Sequence, residues 1–257
     1  MLLLDFEHRP FDTLGLTEYM RGLKDGGPTA SGHPTPTVVC TLPANAISPD
    51  EVRYNAWQAR HALTTGIHGI LHTHTRSAES VKAFVQITRY PFQTRGRAII
   101  GEGLRGAGGQ GPACTIWGLS PAAYAQAADP WPLNPDGELL LGLKIEDRHC
   151  LPNVDAIASV PGIGFAEWGP GDMGMSFEHP DAHDPPYPQV MDDARDAIKA
   201  ALDRQGICFY SSWYDPEISM EERVDHSLDI LGVKMMGAPN REWADYGRQR
   251  TGRTMPV

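Results

Sequence analysis

The chain has 257 residues and a formal charge of −10, from 22 Lys and Arg set against 32 Asp and Glu. That balance argues against a nucleic-acid or anionic-membrane partner, because both need a basic face to offset phosphate charge. With 41% hydrophobic and 21% charged residues the composition is ordinary for a globular protein and too apolar for a disordered chain.

Short apolar runs alternate with amphipathic stretches along the chain. The strand-like runs are Leu2–Asp5, Thr37–Leu42, His68–Thr73, Leu139–Ile145, Ile163–Trp168, Ile207–Ser212 and Val233–Gly237. Each is largely apolar on both faces, the pattern of parallel strands covered on both sides. Helical stretches are expected at about 11–23, 77–88, 152–160 and 240–250, with clearer signals at three further places. Ser48-Pro49-Asp50-Glu51 is a capping box with proline at the first helical position, and Gly66 supplies the stop. From Pro188 to Gln205 the apolar residues fall at helical spacing and Gly206 ends the run. Ser219-Met220-Glu221-Glu222 repeats the box, with Gly232 beyond it.

Seven strand-then-helix units in a row imply right-handed crossovers and a parallel α/β sheet in one domain spanning 1–257. A closed barrel and an open doubly wound sheet both fit this pattern, and the closed barrel requires one strand more. The stretch from about 91 to 137, rich in Gly and Pro, is expected to be a long loop serving as a lid or binding loop. Gly101, Gly103 and Gly106 formally match GxGxxG after the strand-like Ala98-Ile99-Ile100. A dinucleotide reading is rejected, because Gly108, Gly109, Gly111 and Pro112 are expected to forbid the helix it needs. A helical tail covers about 240–257. No run of about 18 apolar residues exists to span a bilayer, and the Met1–Leu4 run ahead of Asp5 is too short for a secretory h-region, so no signal segment is expected in it. The four cysteines (Cys40, Cys114, Cys150, Cys208) form no CxxC pair, so a cytoplasmic protein with reduced thiols is expected.

In parallel α/β folds function collects at the carboxyl ends of the strands. There the chain places Asp5, Glu7 and His8, then His72 and His74, then Glu146, Asp147 and His149, then Glu167 and Asp172. Separate carboxylates at neighbouring strand ends suit a hard divalent cation, with helix caps and loop salt bridges as the plain alternative for Glu146 and Asp172. His8 with Asp5 forms a candidate acid–base pair, in which the carboxylate fixes the imidazole tautomer. The alternative is a structural histidine at a strand end.

Four segments then resemble one family. Leu3-Leu4-Asp5-Phe6-Glu7-His8-Arg9-Pro10 is similar to the D-x-E-H-x-P segment of the HpcH/HpaI class II pyruvate aldolases. Arg89-Tyr90-Pro91-Phe92 with Arg95-Gly96 resembles their R-Y-P-P…R-G stretch. Lys144-Ile145-Glu146 sits where that family has its metal glutamate, and Val160-Pro161-Gly162-Ile163 followed by Gly169-Pro170-Gly171-Asp172-Met173 resembles its metal aspartate segment. The order and rough spacing hold from residue 3 to about 177. The resemblance implies a TIM (β/α)8-type barrel, with the family's first strand and helix missing from this chain. It implies a homo-oligomer, trimeric or hexameric, and cleavage of a 2-oxo acid to pyruvate and an aldehyde through a metal-bound pyruvate enolate. Carried over, Glu146 and Asp172 hold Mg²⁺ or Mn²⁺, with Co²⁺ as a further option. The amides of Gly171 and Asp172 receive the substrate carboxylate, and His8 oriented by Asp5 moves the proton.

The chain departs from that pattern in two further places. The family's pyruvate-polarising arginine falls within Val38-Val39-Cys40-Thr41, where this chain has Cys40, leaving Arg105, Arg76 or His74 as substitutes. The glutamine that the family places two residues before its metal glutamate is Lys144, expected to face the substrate; Trp213, just after a strand, is a further candidate pocket wall. Two other functions compete with the aldolase reading. One is an amidohydrolase-like metal hydrolase using His72 and His74, and the other is a barrel that binds a keto acid without turning it over.

Overall fold

The computed structural model describes residues 1–253; the last four residues of the expected C-terminal tail lie outside the described residues. Among the described residues eight parallel strands form one sheet: β1 (Leu2–Leu4), β2 (Val38–Thr41), β3 (Gly69–His72), β4 (Pro130–Trp131), β5 (Leu139–Lys144), β6 (Phe165–Trp168), β7 (Cys208–Ser211) and β8 (Met235–Met236). They pair in the order β1-β2-β3-β5-β6-β7-β8, with the two-residue β4 attached to β5. All seven expected strands are present, although the last shrinks to two residues.

The period-two alternation of the strands divides their side chains between two cores. Val38, Cys40, Ile70, Leu141, Leu143, Ala166 and Phe209 belong to the large core shared with the helices. Val39, Leu71, Phe165 and Tyr210 form a separate buried cluster on the other face. Side chains of β2 and β7 can share a cluster only if the sheet curls, so this second face is the inside of a barrel-like curl. β1 and β8 stand at its edges and exchange no hydrogen bonds among the described residues. Helix Arg241–Thr251 lies over that seam, leaving a cavity of about 410 Å³ lined by residues that include Leu3, Tyr210, Met235 and Trp243.

The helix boundaries follow their capping chemistry. Ser48 accepts a hydrogen bond from the Glu51 amide, with Pro49 in the first turn. The Ser219–Glu222 box is reciprocal, and Gly206 closes its helix at φ 70°. The segment expected as a lid differs most from its sequence reading. Ala98-Ile99-Ile100 is helical rather than a strand, and helices Gln110–Trp117 and Pro121–Ala127 occupy the rest, followed by β4. Pro112 sits in the first turn of its helix, where the missing N–H leaves no bond unmade, so it permits the helix it was expected to forbid. Gly103 serves packing rather than phosphate binding: a Cβ there would lie 2.4 Å from the Arg89 carbonyl oxygen. Among the described residues no helix is long and apolar enough to cross a membrane.

Candidate metal and acid–base centre

Inward-facing residues at the carboxyl ends of the strands build the site. Along β5 the alternation turns Leu140, Gly142 and Lys144 inward, and it continues into Glu146, which is fully buried. On β6 it turns Phe165 and Glu167 inward, and helix Pro170–Ser176 then presents Asp172 in its first turn. Thr41, inward on β2, shapes the loop after β1. Its hydroxyl accepts hydrogen bonds from the amides of Phe6 (2.7 Å) and Glu7 (3.0 Å) and donates to Asp5 Oδ1 at 3.1 Å.

Ligand atoms of Glu7, His74, Glu146 and Asp172 come within 4.8 Å of one another. Glu7 was not among the residues singled out as ligands, although it lies inside the D-x-E-H segment. His74 holds φ 50°, in the left-handed region, which costs a non-glycine residue roughly 1–2 kcal/mol. This conformation lets its amide donate to Glu146 Oε1 at 3.2 Å while its ring lies 3.6 Å from Glu7 and 3.8 Å from Glu146. Strain of this kind persists where surrounding contacts over-determine it, as at functional sites.

One cation stands among these carboxylates. Lys144 Nζ donates to Glu7 Oε2 at 2.7 Å and lies 3.0 Å from Glu146 Oε2. The second contact is an ion pair off the hydrogen-bonding line, and Glu146 Oε2 is buried without a hydrogen bond. Burial pushes the Glu146 carboxyl up to about 8, Lys144 opposes the rise, and Glu7, Asp172 and Glu167 add to it. Burial alone would lower the Lys144 pKa, but Glu146, Glu167 and Glu7 outweigh it and keep the ammonium charged. Glu167 accepts a hydrogen bond from Ser212 Oγ; burial raises its pKa, against the pull of Lys144.

The His8–Asp5 pair adjoins this cluster through Glu7. His8 Nδ1 lies 3.1 Å from Asp5 Oδ2, and its side chain is 63% exposed, open to a substrate or to water. Burial alone would raise the Asp5 carboxyl. The His8 amide and ring, the Thr41 hydroxyl and the Glu7 amide together hold it below its usual value.

Several residues proposed from sequence lie elsewhere. His72 points into the outer core, edge-on to Phe84 with 4.8 Å between ring centroids, and burial pushes its pKa down to about 3. Only His74 of the H-x-H pair reaches the rim, so the paired ligands of the hydrolase reading are not assembled. Arg105 is buried at the opposite end of the strands. It donates to Tyr124 Oη at 2.7 Å, Tyr124 leans on the Leu63 carbonyl ahead of β3, and the Arg105 amide bonds to Arg89. Arg89 in turn pairs with Asp129, just before β4, at 2.6 Å. Arg105 therefore cannot replace a substrate-binding arginine. Arg76 is committed to Asp147 at 2.7 Å. Trp213 stacks on His226 with 4.2 Å between ring centroids, outside the cluster. Cys40 belongs to the outer core and burial pushes its thiol up to about 12, so the inward position at this strand end is Thr41 and not Cys40. Gly171 and Asp172 occupy the first turn of their helix, where N–H groups have no intrahelical partner.

The donor set of three carboxylates and one imidazole, with a buried carboxylate oxygen lacking a hydrogen bond, fits a hard divalent cation such as Mg²⁺ or Mn²⁺.

The profile of the HpcH/HpaI aldolase/citrate lyase family matches residues 46–232. A hydroxypyruvate/pyruvate aldolase of Chromohalobacter salexigens is 29% identical over 180 residues, covering 67% of this chain and 63% of that protein. A 2-keto-3-deoxy-L-rhamnonate aldolase of Klebsiella pneumoniae subsp. pneumoniae is 31% identical over 143 residues, covering 55% of this chain and 47% of that one. The chain thus spans about half to under two thirds of the length of these curated relatives. The crystal structure of a protein of the same family from Burkholderia cenocepacia J2315 superposes with a TM-score of 0.68 at 19% identity. That superposition covers 98% of this chain and 83% of the other, and it shows the shared fold.

Proposed function

The chain belongs to the HpcH/HpaI aldolase/citrate lyase family, and from that premise we propose that it is a divalent-cation-dependent carbon–carbon lyase acting on a 2-oxo acid. The reaction it suits best is retro-aldol cleavage of a 4-hydroxy-2-oxo acid to pyruvate and an aldehyde, or the reverse condensation. The observation that carries this reading is the convergence of Glu7, His74, Glu146 and Asp172 beside the His8–Asp5 pair.

In this reading Glu146 and Asp172 hold Mg²⁺ or Mn²⁺, with Glu7 and His74 as adjoining donors. When bound, such a cation polarises the 2-oxo group and offsets the negative charge that develops as the neighbouring bond breaks. The first-turn amides of Gly171 and Asp172 bind the substrate carboxylate. Lys144 keeps a positive charge over the same pocket, which lowers the cost of bringing in an anionic acid. His8, held by Asp5, takes the proton of the 4-hydroxyl during cleavage, directly or through one water, and returns it during condensation.

The test is deuterium uptake into the methyl group of pyruvate in D₂O, followed by mass spectrometry with Mg²⁺ or Mn²⁺ present and then with EDTA. Uptake that stops with EDTA and resumes on adding cation supports this function. Uptake indifferent to EDTA, or none despite measured cation binding, would overturn it.

A further inference from the structure

We propose that Lys144 and Glu167 form an exchangeable charge pair that sets the affinity of the centre for its divalent cation. Without a divalent ion the Lys144 ammonium bridges Glu7 and Glu146; when one enters, the ammonium moves to Glu167. The inference rests on the reading that Glu146 and Asp172 hold the cation.

Lys144 Nζ contacts Glu7 Oε2 and Glu146 Oε2 at 2.7 and 3.0 Å, and both carboxylates belong to the four-ligand cluster. A dication drawing on those oxygens would meet a unit positive charge only a few ångströms away. Like charges at that separation repel strongly in a poorly hydrated pocket. The ammonium must therefore give way, or the cation binds weakly.

The fold supplies a place for it to go. Glu167 stands directly opposite Lys144 in the β5–β6 register, and both residues lie on the inner face. Parallel strands are about 4.8 Å apart, so the four-carbon lysine stem reaches across. Glu167 is 6% exposed, and among the described residues its side chain has a single hydrogen-bond partner, Ser212. No ion pair joins it to Lys144 within 4.0 Å in this arrangement, although the lysine charge is felt there. A buried carboxylate without a close cation is costly, and accepting the displaced ammonium would remove that cost. Lys144 and Glu167 also add one charge of each sign to the interior, so their presence together leaves its net charge unchanged.

The experiment is a calorimetric Mn²⁺ titration of the full chain as wild type, Lys144→Met, Glu167→Gln and the double variant, with metal-free folding checked by circular dichroism. Lys144→Met is expected to tighten Mn²⁺ binding about tenfold or more. Glu167→Gln is expected to weaken it severalfold in the wild type and by less than twofold in the Lys144→Met background. Unchanged or weaker binding by Lys144→Met, or strictly additive effects, would overturn the inference while leaving the cation reading intact. Absence of Mn²⁺ binding by wild type and Lys144→Met alike would overturn both. A crystal structure of the wild type with Mn²⁺ answers the question without a variant. Lys144 Nζ within hydrogen-bonding distance of Glu167 is the expected result, and an ammonium still seated between Glu7 and Glu146 contradicts it.

Discussion

Lys144 Nζ lies 2.7 Å from Glu7 Oε2, joining the end of β5 to the loop after β1 across 137 residues of sequence. This contact links the two halves of the candidate site, because Glu7 lies between the His8–Asp5 pair and the carboxylates at the ends of β5 and β6.

Glu146→Gln should abolish cation-dependent turnover, with a loss on the order of a hundredfold or more, and should weaken Mn²⁺ binding in a titration. Asp172→Asn should act in the same direction. Full metal-dependent activity in Glu146→Gln would remove this residue from the cation site.

His8→Ala should reduce retro-aldol turnover by roughly 10²–10⁴-fold, the usual contribution of a positioned acid or base. The side chain is 63% exposed, so the thermal midpoint should move little. Deuterium exchange and turnover rates at wild-type levels would place the proton transfer elsewhere.

Cys40→Arg should not create a substrate contact. The side chain faces the outer core, fully buried among apolar residues, and a guanidinium there without a carboxylate costs at least about 3 kcal/mol. A fall of roughly 6–12 °C in thermal midpoint is expected for a chain of this size, with no gain in pyruvate affinity. Unchanged stability with tighter pyruvate binding would show that this position faces the site.

The stabilising contribution of His72 and His68 should fall as pH drops below neutrality, opposed in the total by the raised carboxyls of Glu146 and Glu167. Burial lowers the His72 pKa from its ordinary 6.5 to about 3, and burial with the nearby His33 lowers that of His68 to about 4. Both depressed values mean that the unfolded chain binds more protons between pH 6.5 and these values. The contribution of the neutral rings is therefore full above pH 6.5 and is lost toward pH 4. The slope approaches about 1.4 kcal/mol per pH unit for each imidazole. The difference in urea midpoint between wild type and His72→Asn at pH 7, 6 and 5 isolates this contribution, and the two profiles should differ in slope by about one proton. An equal slope in that variant would mean His72 is not held neutral.

Much of the candidate site could be read before the fold was known. The D-x-E-H segment, Glu146 and the Gly169–Asp172 turn each lie at the end of a strand recognisable from its own apolar run, and the helix caps are local hydrogen bonds written in a few adjacent residues. The segment from 91 to 137 was less legible, because its helices are short and Gly- and Pro-rich, with too few turns to show a period. Whether Arg105 lay near the carboxyl or the amino ends of the strands could not be decided there.

The sequence by itself determined the alternation of strands and helices, the parallel sheet, the family and the residues at the strand ends. Only the tertiary structure decided that Thr41 rather than Cys40 faces inward, that His72 turns away while His74 turns in, and that Glu7 and Lys144 meet. The reason is geometric. Propensity and capping act over a few residues, whereas a one-residue change of strand register exchanges the two faces, and contacts between distant strand ends exist only once the sheet has curled.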